Sequence, residues 1–410
     1  MHRRRFLAGV GCTLLGPSHL GAAQRDPVVQ PANAAMPVAD ATTGATTLFV
    51  CGDVMTGRGI DQILPHPGNP QLYESFVRSA LRYVQIAEDE TGPVPRPVGV
   101  DYVWGDALAE LERVRPQARI VNLETAITTA ESAWPDKGIH YRMHPANVGC
   151  LTAAAIDCCS VANNHVLDWG YGGLSETLAT LRAAGIRTAG AGADEAEATA
   201  PAVVELAGGR RVLVFACAMA SAGVPREWAA TTSRAGVSYL EGLAPATADA
   251  IAARVAAVRR NGDIVVLSIH WGGNWGYEVS RAQRSFAREL VEHAGVDLVH
   301  GHSSHHPKGI EIHHDRPIIY GCGDFLNDYE GIGGYERFNG ELGLMYFPSF
   351  DPAGALDRLA LVPTRIRHLR VNRARGSDVE WLAAMLTREG EPFGTRVERE
   401  PDDTLLIHRR

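Results

Sequence analysis

The 410-residue chain lacks the features that identify several common classes of protein. Its 39 Lys and Arg residues are outnumbered by 47 Asp and Glu, giving a formal net charge of −8. A nucleic-acid-binding surface needs clustered surplus positive charge, so no nucleic-acid partner is expected. We find no P-loop, no GxSxG nucleophile elbow and no GxGxxG motif after a strand, which argues against the usual nucleotide-binding and serine-hydrolase sites.

Cysteine is scarce, and its spacing excludes two further classes. The seven cysteines contain no CxxC pair and form no dense framework, so neither a zinc ribbon nor a disulfide scaffold is expected. Most of those after the N-terminal segment lie in or beside apolar runs, which is typical of buried thiols: Cys51, Cys150, Cys158, Cys159, Cys217 and Cys322. We therefore expect a core that does not depend on disulfides.

The N-terminus has the pattern of an export signal. A basic head with the sequence RRRFL (3–7) opens an apolar stretch that ends at Leu15, too short for a spanning helix of about 20 residues. Small residues follow, so we interpret 1–23 as a twin-arginine-type signal and 24–45 as a flexible linker. A frayed basic tail is the alternative. The pattern predicts an exported protein, periplasmic or membrane-apposed.

Apolar runs of strand length recur along the chain, and each ends in polar residues. The residues delivered in this way are Asp53, Glu124, Asn163-Asn164-His165, His270, His302 with His305, and Asp324. Amphipathic stretches between these runs predict helices at 104–114, 173–184, 247–259 and 281–293. This alternation predicts an α/β fold whose ligands lie at the carboxyl ends of the strands.

No boundary divides this part of the chain, so we assign 46–350 to one domain. Residues 351–410 are expected to add strands and a late helix, at 378–388, that pack on the same domain. The stretches 210–220, 342–350 and 359–371 are predicted to be antiparallel additions that form a second sheet.

Imidazole, carboxylate and amide groups together are the ligands used for divalent first-row metals. A single carboxylate such as Glu124 can bridge two ions. Each residue alone has an ordinary interpretation: Asp53 as a helix cap, Asn164 as a turn residue, His165 or His270 as a core histidine. Their joint occurrence at consecutive strand ends favours a metal site.

The motifs at these strand ends resemble, in order, those of the poly-γ-glutamate capsule biosynthesis (CapA) family, which is related to calcineurin-like metallophosphoesterases. They are GDVMTGR (52–58), NLE (122–124), ANNH (162–165), HWG (270–272), GHSSH (301–305) and GCGDF (321–325). The resemblance covers about 47 to 330. It implies a four-layer α/β/β/α sandwich of two mixed sheets.

The resemblance also implies roles for individual residues. The implied metal ligands are Asp53, Glu124, Asn164, His270, His302 and His305, holding one or two ions of Mn, Fe or Zn. His165 matches the histidine that lies over the substrate, and Asp168 would orient its ring. Arg58 would hold an anionic group of the substrate.

Three departures from the phosphoesterase pattern concern the ion nearest Asp53. Met55 stands where a histidine is found two residues after the first aspartate. Glu124 replaces an aspartate, and the last motif is Gly-His-x-x-His rather than Gly-His-x-His. Occupancy by one ion, or by none, therefore stays open.

Three functions are consistent with these patterns. The first is a metal-dependent hydrolase or transferase that acts on a phosphoester or γ-glutamyl amide in capsule or envelope polymer synthesis. Its expected partners are an anionic polymer or small anionic substrate and membrane-bound synthase subunits. The second is a non-catalytic, polymer-binding accessory protein. The third is a periplasmic phosphatase or nucleotidase.

Two loops near the strand ends allow two interpretations each. Trp271 and Trp275 either wall the pocket or pack within a turn. The acidic loop from Asp324 to Glu330 either lines the site or is solvated, and we expect Asp328 and Glu330 at the surface.

Overall fold

The computed structural model describes residues 44–410. The predicted export signal and all but the last two residues of the predicted linker lie outside this range. Its strands are β1 (Thr46–Val54), β2 (Ala118–Leu123), β3 (Ala126–Ile127), β4 (Arg142–Met143), β5 (Cys158–Ser160), β6 (Arg187–Ala189), β7 (Ala191–Gly192), β8 (Ala202–Glu205), β9 (Arg211–Met219), β10 (Gly236–Val237), β11 (Tyr239–Leu240), β12 (Ile264–His270), β13 (Leu298–His302), β14 (Ile310–His313), β15 (Arg316–Ile319), β16 (Asp324–Leu326), β17 (Leu342–Phe350), β18 (Leu356–Ile366), β19 (Val371–Arg373), β20 (Thr395–Arg399) and β21 (Leu405–Arg409).

The α-helices of the same residues lie between these strands. They are α1 (Gly59–Ile63), α2 (Leu81–Thr91), α3 (Asp106–Val114), α4 (Gly149–Ala153), α5 (Gly170–Ala183), α6 (Glu195–Thr199), α7 (Pro245–Val258), α8 (Arg281–Glu292) and α9 (Ser377–Gly390). Short 3-10 turns occupy Tyr102–Trp104, Pro145–Asn147, Ala207–Gly209, Ala220–Ala222, Arg226–Trp228, Glu336–Phe338 and Glu391–Phe393. Helix α8 begins with a capping box, in which Ser280 and Gln283 satisfy each other's backbone N–H groups.

Two mixed sheets carry the fold. The first has the order β20-β21-β18-β17-β1-β2-β5-β6, with β16 beside β1 and β19 beside β18. The second has the order β11-β9-β12-β13-β15-β14, with β8 beside β9. In each sheet the central strands run parallel, so their carboxyl ends lie along one edge.

Alternation along β9 identifies the layers, because successive side chains of a strand point to opposite faces. Val212 and Val214 pack in the main core, which also contains residues of the first sheet. Leu213 and Phe215 belong to a second cluster with residues of α7 and α8. Helices α3 and α5 supply buried residues on the first sheet. The predicted four-layer α/β/β/α sandwich is confirmed.

The membership of the second sheet differs from the sequence-based expectation, in which 342–350 and 359–371 were to build it. Strands β17 and β18 instead join the first sheet, where β17 pairs antiparallel with β1. Strand β9, which covers most of 210–220, does lie in the second sheet, but it runs parallel to β12. The antiparallel second sheet was therefore wrong.

The six cysteines of residues 44–410 are all buried and free. Burial raises the pKa of Cys150 and Cys217 to about 12, so their thiols stay protonated at neutral pH. Among the helices of these residues, none has both the length and the apolar character required to cross a bilayer.

Candidate metal centre

The first sheet delivers three carboxylates to one point. Asp53 lies near the end of β1, Glu124 directly follows β2, and Asp324 begins β16, where it is the register partner of Asp53. All three are at most 2% exposed. Asn122 holds the first of them in place, because its Nδ2 donates to Asp53 Oδ1 at 2.7 Å.

The second sheet delivers imidazoles to the same point. His270 and His302 end the neighbouring parallel strands β12 and β13 as register partners, and their Nδ1 atoms lie 2.7 Å apart. Ser268 Oγ lies 2.8 Å from the other nitrogen of His302. His305 follows three residues later, and its Nδ1 is 2.9 Å from Asp324 Oδ1.

These side chains form two groups that share one carboxylate. Asp53 with His270 and His302 is the first, and Asp53 with His305 and Asp324 is the second. Within each group the ligand atoms all lie within 4.8 Å of one another. Carboxylate oxygen with imidazole nitrogen is a donor set that suits a divalent first-row ion.

The two remaining predicted ligands border the first group. Asn164 Oδ1 lies 3.0 Å from His270 Nε2, and Glu124 Oε1 lies 3.8 Å from the same nitrogen. All six predicted ligands therefore lie in one cluster, in which Asn164 is partly exposed and the other five are buried. The carboxylate that belongs to both groups is Asp53, however, and not Glu124.

The electrostatics of the cluster are unbalanced. Burial and the neighbouring Asp324 raise the pKa of Asp53 to about 6, and burial with Asp53 raises the pKa of Glu124 well above its usual range. Burial lowers the pKa of His270 and His302 well below the ordinary value. Only for His305 does a neighbouring carboxylate outweigh burial and raise the pKa. A divalent cation would balance the carboxylates and accept the neutral imidazoles as ligands, so the donor set fits one.

His165 lies beside this cluster with its ring oriented by Asp168. His165 Nδ1 is 2.7 Å from Asp168 Oδ2, and its Nε2 is 3.7 Å from Glu124 Oε1. Lys137, which no sequence pattern singled out, lies 2.7 Å from Asp168 Oδ1. Burial is the main reason why the pKa of His165 falls to about 4, so the ring is neutral at physiological pH.

Arg58 does not have the free guanidinium that substrate binding requires. Its Nε and Nη2 donate to Asp328 at 2.9 and 2.5 Å, and its Nη1 donates to Glu74 at 3.0 Å. The ring of Tyr83 lies 3.5 Å from the guanidinium carbon. We therefore correct the role of Arg58: it does not bind substrate but pairs with the buried carboxylates of Asp328 and Glu74.

The acidic loop is not at the surface. Asp328 is 1% exposed because it pairs with Arg58. Glu330 is also buried, and its carboxylate accepts the backbone N–H groups of His368 and Leu369 at 2.9 Å. The expectation of solvated carboxylates at these two positions was wrong, because it ignored partners that are distant in sequence.

A cleft of about 700 Å³ opens beside His305. Trp275 lines it and stacks on Tyr335 with 3.9 Å between ring centroids. Trp271 is instead buried against Tyr320. Trp275 therefore lines the pocket, as one interpretation predicted, and Trp271 packs in the core, as the other predicted. Arg367 also lines the cleft.

Asp324 is the functional residue that the sequence-based ligand set omitted. Its signal was present, since it follows an apolar run as Asp53 does. Lys137 had no comparable signal, because it lies in a loop. Asn122 belongs to the NLE motif (122–124) but received no role, because it is internal to β2.

A further group of potential ligands lies at the surface. Glu292, His313 and His314 place their ligand atoms within 4.8 Å of one another. His313 and His314 precede β15, which runs parallel to β13, so this group lies at the amino end of the second sheet. It is thus at the opposite edge from the buried cluster.

The chain is similar to several known proteins. The family model described as "Bacterial capsule synthesis protein PGA_cap" matches residues 47–329. The chain is 48% identical over 363 residues to the "Probable polyglutamine synthesis accessory protein" of Mycobacterium tuberculosis (strain ATCC 25618 / H37Rv), covering 88% of this chain and 95% of that protein. It is 24% identical over 278 residues to "PGA biosynthesis protein CapA" of Bacillus subtilis (strain 168), covering 68% of this chain and 62% of that protein. Among solved structures, the 5'-nucleotidase precursor from Thermus thermophilus matches with a TM-score of 0.43 and 16% identity, over 83% of this chain and 58% of that one.

Proposed function

We propose a function for this chain from the premise that it belongs to the bacterial capsule synthesis protein PGA_cap family. In this proposal the chain is a divalent-metal-dependent hydrolase or transferase that serves the synthesis of a polyglutamate-type envelope polymer. The observation that carries the proposal is the convergence of three buried carboxylates with three imidazoles beside an open cleft. The twin-arginine pattern at 3–7 supports a site of action outside the cytoplasm, periplasmic or membrane-apposed.

The residues that would hold an ion are Asp53, His270 and His302, with Asn164 and Glu124 at the border of the group. When bound, a divalent ion supplies a Lewis acid for a carbonyl or phosphoryl oxygen and lowers the pKa of a bound water to about 7. Mn, Fe and Zn all accept this mixture of nitrogen and oxygen ligands.

His165 is the proton-transfer residue of the proposal. Its Nδ1 faces Asp168, which favours the tautomer with a proton on that nitrogen and leaves Nε2 able to accept one. Nε2 points toward Glu124 and the cluster. Because the ring is neutral at pH 7, it can take a proton from the attacking group and later return it to the leaving group.

The cleft supports an extended substrate. Its walls carry the Trp275–Tyr335 stack, and Arg367 adds a positive charge to its lining. The names of the relatives, which refer to polyglutamine and PGA synthesis, support a polymer of this type or its precursor. We propose that the bond acted on is a γ-glutamyl amide or a phosphoester, and that membrane-bound synthase subunits are the protein partners.

A second candidate is a non-catalytic accessory protein that binds the polymer or its synthase. Met55, which stands where the phosphoesterase pattern has a ligand histidine, favours it, as does the word "accessory" in the name of the Mycobacterium tuberculosis relative. This function would use the cleft without His165.

The test uses protein purified without chelator. We would measure metal content by mass spectrometry, and turnover of a generic phosphodiester and of a γ-glutamyl anilide. Wild type should hold at least one ion, and His165→Ala should keep the ion but lose turnover by roughly 100-fold or more. His313→Ala, at the remote surface group, is the matched control and should retain full turnover.

Two outcomes would decide against the enzyme. Protein that holds no divalent ion after loading with Mn²⁺ or Zn²⁺ would overturn the proposed metal centre. Protein that binds polyglutamate but has equal, background turnover in wild type and His165→Ala would support the accessory function instead.

A further inference from the structure

We propose that Asp324, together with Asp53 and His305, forms a second cation position that faces the cleft and compensates for the absence of a histidine at Met55. The inference rests on the proposed function, since it concerns a second ion beside the first. It goes further in naming a ligand, Asp324, and in predicting that the chain holds two ions rather than one.

The first step is the pairing of two carboxylates across neighbouring strands. Asp53 and Asp324 are register partners on the parallel strands β1 and β16, so their side chains leave the sheet on the same side. Both are buried. Two ionised carboxylates side by side in a buried place repel each other, and a cation between them removes that repulsion.

The second step is the nitrogen donor. His305 Nδ1 lies 2.9 Å from Asp324 Oδ1, and a ligand atom from each of Asp53, His305 and Asp324 lies within 4.8 Å of the other two. Asn327 Nδ2 donates to the second oxygen of Asp324 at 2.7 Å, and Asn274 Nδ2 lies 3.0 Å from His305 Nε2. Asn327 thereby orients Asp324 from outside, as partners behind metal ligands do.

Met55 lies two residues after Asp53 and is a poor metal ligand at that position. A residue at this spacing in extended chain points to the same side as Asp53, and Met55 is completely buried. A thioether is a soft, weak ligand that suits copper rather than Mn, Zn or oxygen-preferring ions. The carboxylate of Asp324, from the adjacent strand, supplies a hard donor on that side of Asp53.

Access to the cleft comes through His305, which lines it together with Asn274 and Asn327. None of the other ligands of either position lines the cleft: Asp53, Asp324, His270 and His302. Of the two positions, the one at Asp324 is therefore nearer to the space that a substrate would fill. We infer that its ion is the more exchangeable and the one in contact with substrate.

The experiment counts ions without reference to turnover. The full chain is loaded with Mn²⁺, freed of excess ion by gel filtration, and examined by mass spectrometry and electron paramagnetic resonance. Wild type should hold two ions with the spectrum of a spin-coupled pair. Asp324→Asn should hold one ion with an uncoupled spectrum, and Asp324→Asn combined with Met55→His should regain the second.

Two further variants serve as an independent test and as a control. His305→Gln should lose the same ion as Asp324→Asn, so a folding defect in one variant does not remove the test. His313→Ala removes the remote surface group and should change neither the ion count nor the spectrum. Circular dichroism in chelator checks that each variant is folded.

The outcomes separate this inference from the proposed function. Two coupled ions in both wild type and Asp324→Asn would overturn the inference alone. A single ion in wild type that survives Asp324→Asn but is lost in His270→Ala would also overturn it and would leave the first position standing. Wild type without any ion would overturn both.

Discussion

Two buried polar clusters lie next to each other in this molecule, and they differ in how their charges are balanced. In the cluster around Arg58, one guanidinium lies between the carboxylates of Asp328 and Glu74 and against the ring of Tyr83. In the candidate metal centre, three carboxylates face imidazoles of which only His305 has a raised pKa. The first cluster is complete without a ligand, and the second is not.

The difference separates a structural arrangement from a binding site. Buried charges persist when they are paired and hydrogen-bonded, so a satisfied cluster needs no further explanation. A buried cluster with surplus carboxylates calls for a cation. The two are also connected, because the ring of Tyr141 lies 4.5 Å from the Arg58 guanidinium carbon and 4.6 Å from the ring of His165.

Breaking the complete cluster should have the largest effect on stability. Arg58→Met would leave Asp328 and Glu74 buried without their cation, and removing one partner of a buried pair costs about 3–5 kcal/mol. We expect that loss in the free energy of unfolding, measured by urea denaturation in the presence of chelator. A loss below about 1 kcal/mol would contradict the structural role of Arg58.

Acid should act on the metal centre and its neighbours instead. Burial lowers the pKa of His165 and His300 to about 4 in the folded protein, below the ordinary value of 6.5. Their contribution to stability is therefore full above pH 6.5 and is lost as the pH falls toward 4. Protonation of each such imidazole should lower the free energy of unfolding by about 2 kcal/mol between pH 7 and pH 5. The measurement is urea denaturation of chelator-treated wild type and His165→Gln at both pH values, since protonation of Asp53 opposes the change in each. An equal change in the two proteins would contradict the prediction.

Removing a carboxylate should affect the metal-free stability differently in the two kinds of cluster. In the candidate metal centre the free energy of unfolding should stay the same or rise, and in a paired cluster it should fall. The pKa of Asp53 is raised from 3.8 to about 6, so ionised Asp53 destabilises the metal-free fold at pH 8 by about 3 kcal/mol. Asp53→Asn should leave the stability in chelator unchanged or higher, while abolishing stabilisation by Mn²⁺. Thermal denaturation with and without the ion measures both effects.

The matched control for the predicted stability of Asp53→Asn is Asp263→Asn. Asp263 is also buried but forms a complete pair with Arg211, at 3.0 and 2.5 Å. Its removal should lower stability in chelator and leave the stabilisation by Mn²⁺ intact. If both variants lowered the metal-free stability equally, the distinction between the clusters would fail.

The smallest effect is expected at the surface. Arg226 and Glu241 form an ion pair whose side chains are 76% and 64% exposed. Arg226→Met should change the free energy of unfolding by less than about 1 kcal/mol, since water competes for both charges. It sets the scale against which Arg58→Met is judged in the same urea experiment.

Much of the fold could be predicted because its signals are local. The run at 47–51 became the core of β1, and the helix predicted at 281–293 ends one residue earlier, at Glu292. Strand ends also gathered the ligands, since parallel strands bring their carboxyl ends to one edge. Asp53, Glu124 and His270 are close together for that reason.

What could not be predicted depends on pairings between distant segments. Strand β17 joins β1 across about 300 residues of chain, and nothing in its own alternation selects the first sheet over the second. Arg58 likewise meets Asp328 at a separation of 270 residues. From the sequence alone, a buried ion pair and a substrate-binding arginine look the same, because the partner decides between them.

The six buried thiols have a consequence for the unfolded chain. In the folded protein Cys51, Cys158 and Cys322 are shielded from oxidants by the core that surrounds them. An unfolded chain would expose all of these thiols together. In air any two of them could form a non-native disulfide that prevents refolding. Recovery from denaturant should therefore require a reductant, and a chain that reached an oxidising compartment before folding would be at risk of permanent loss.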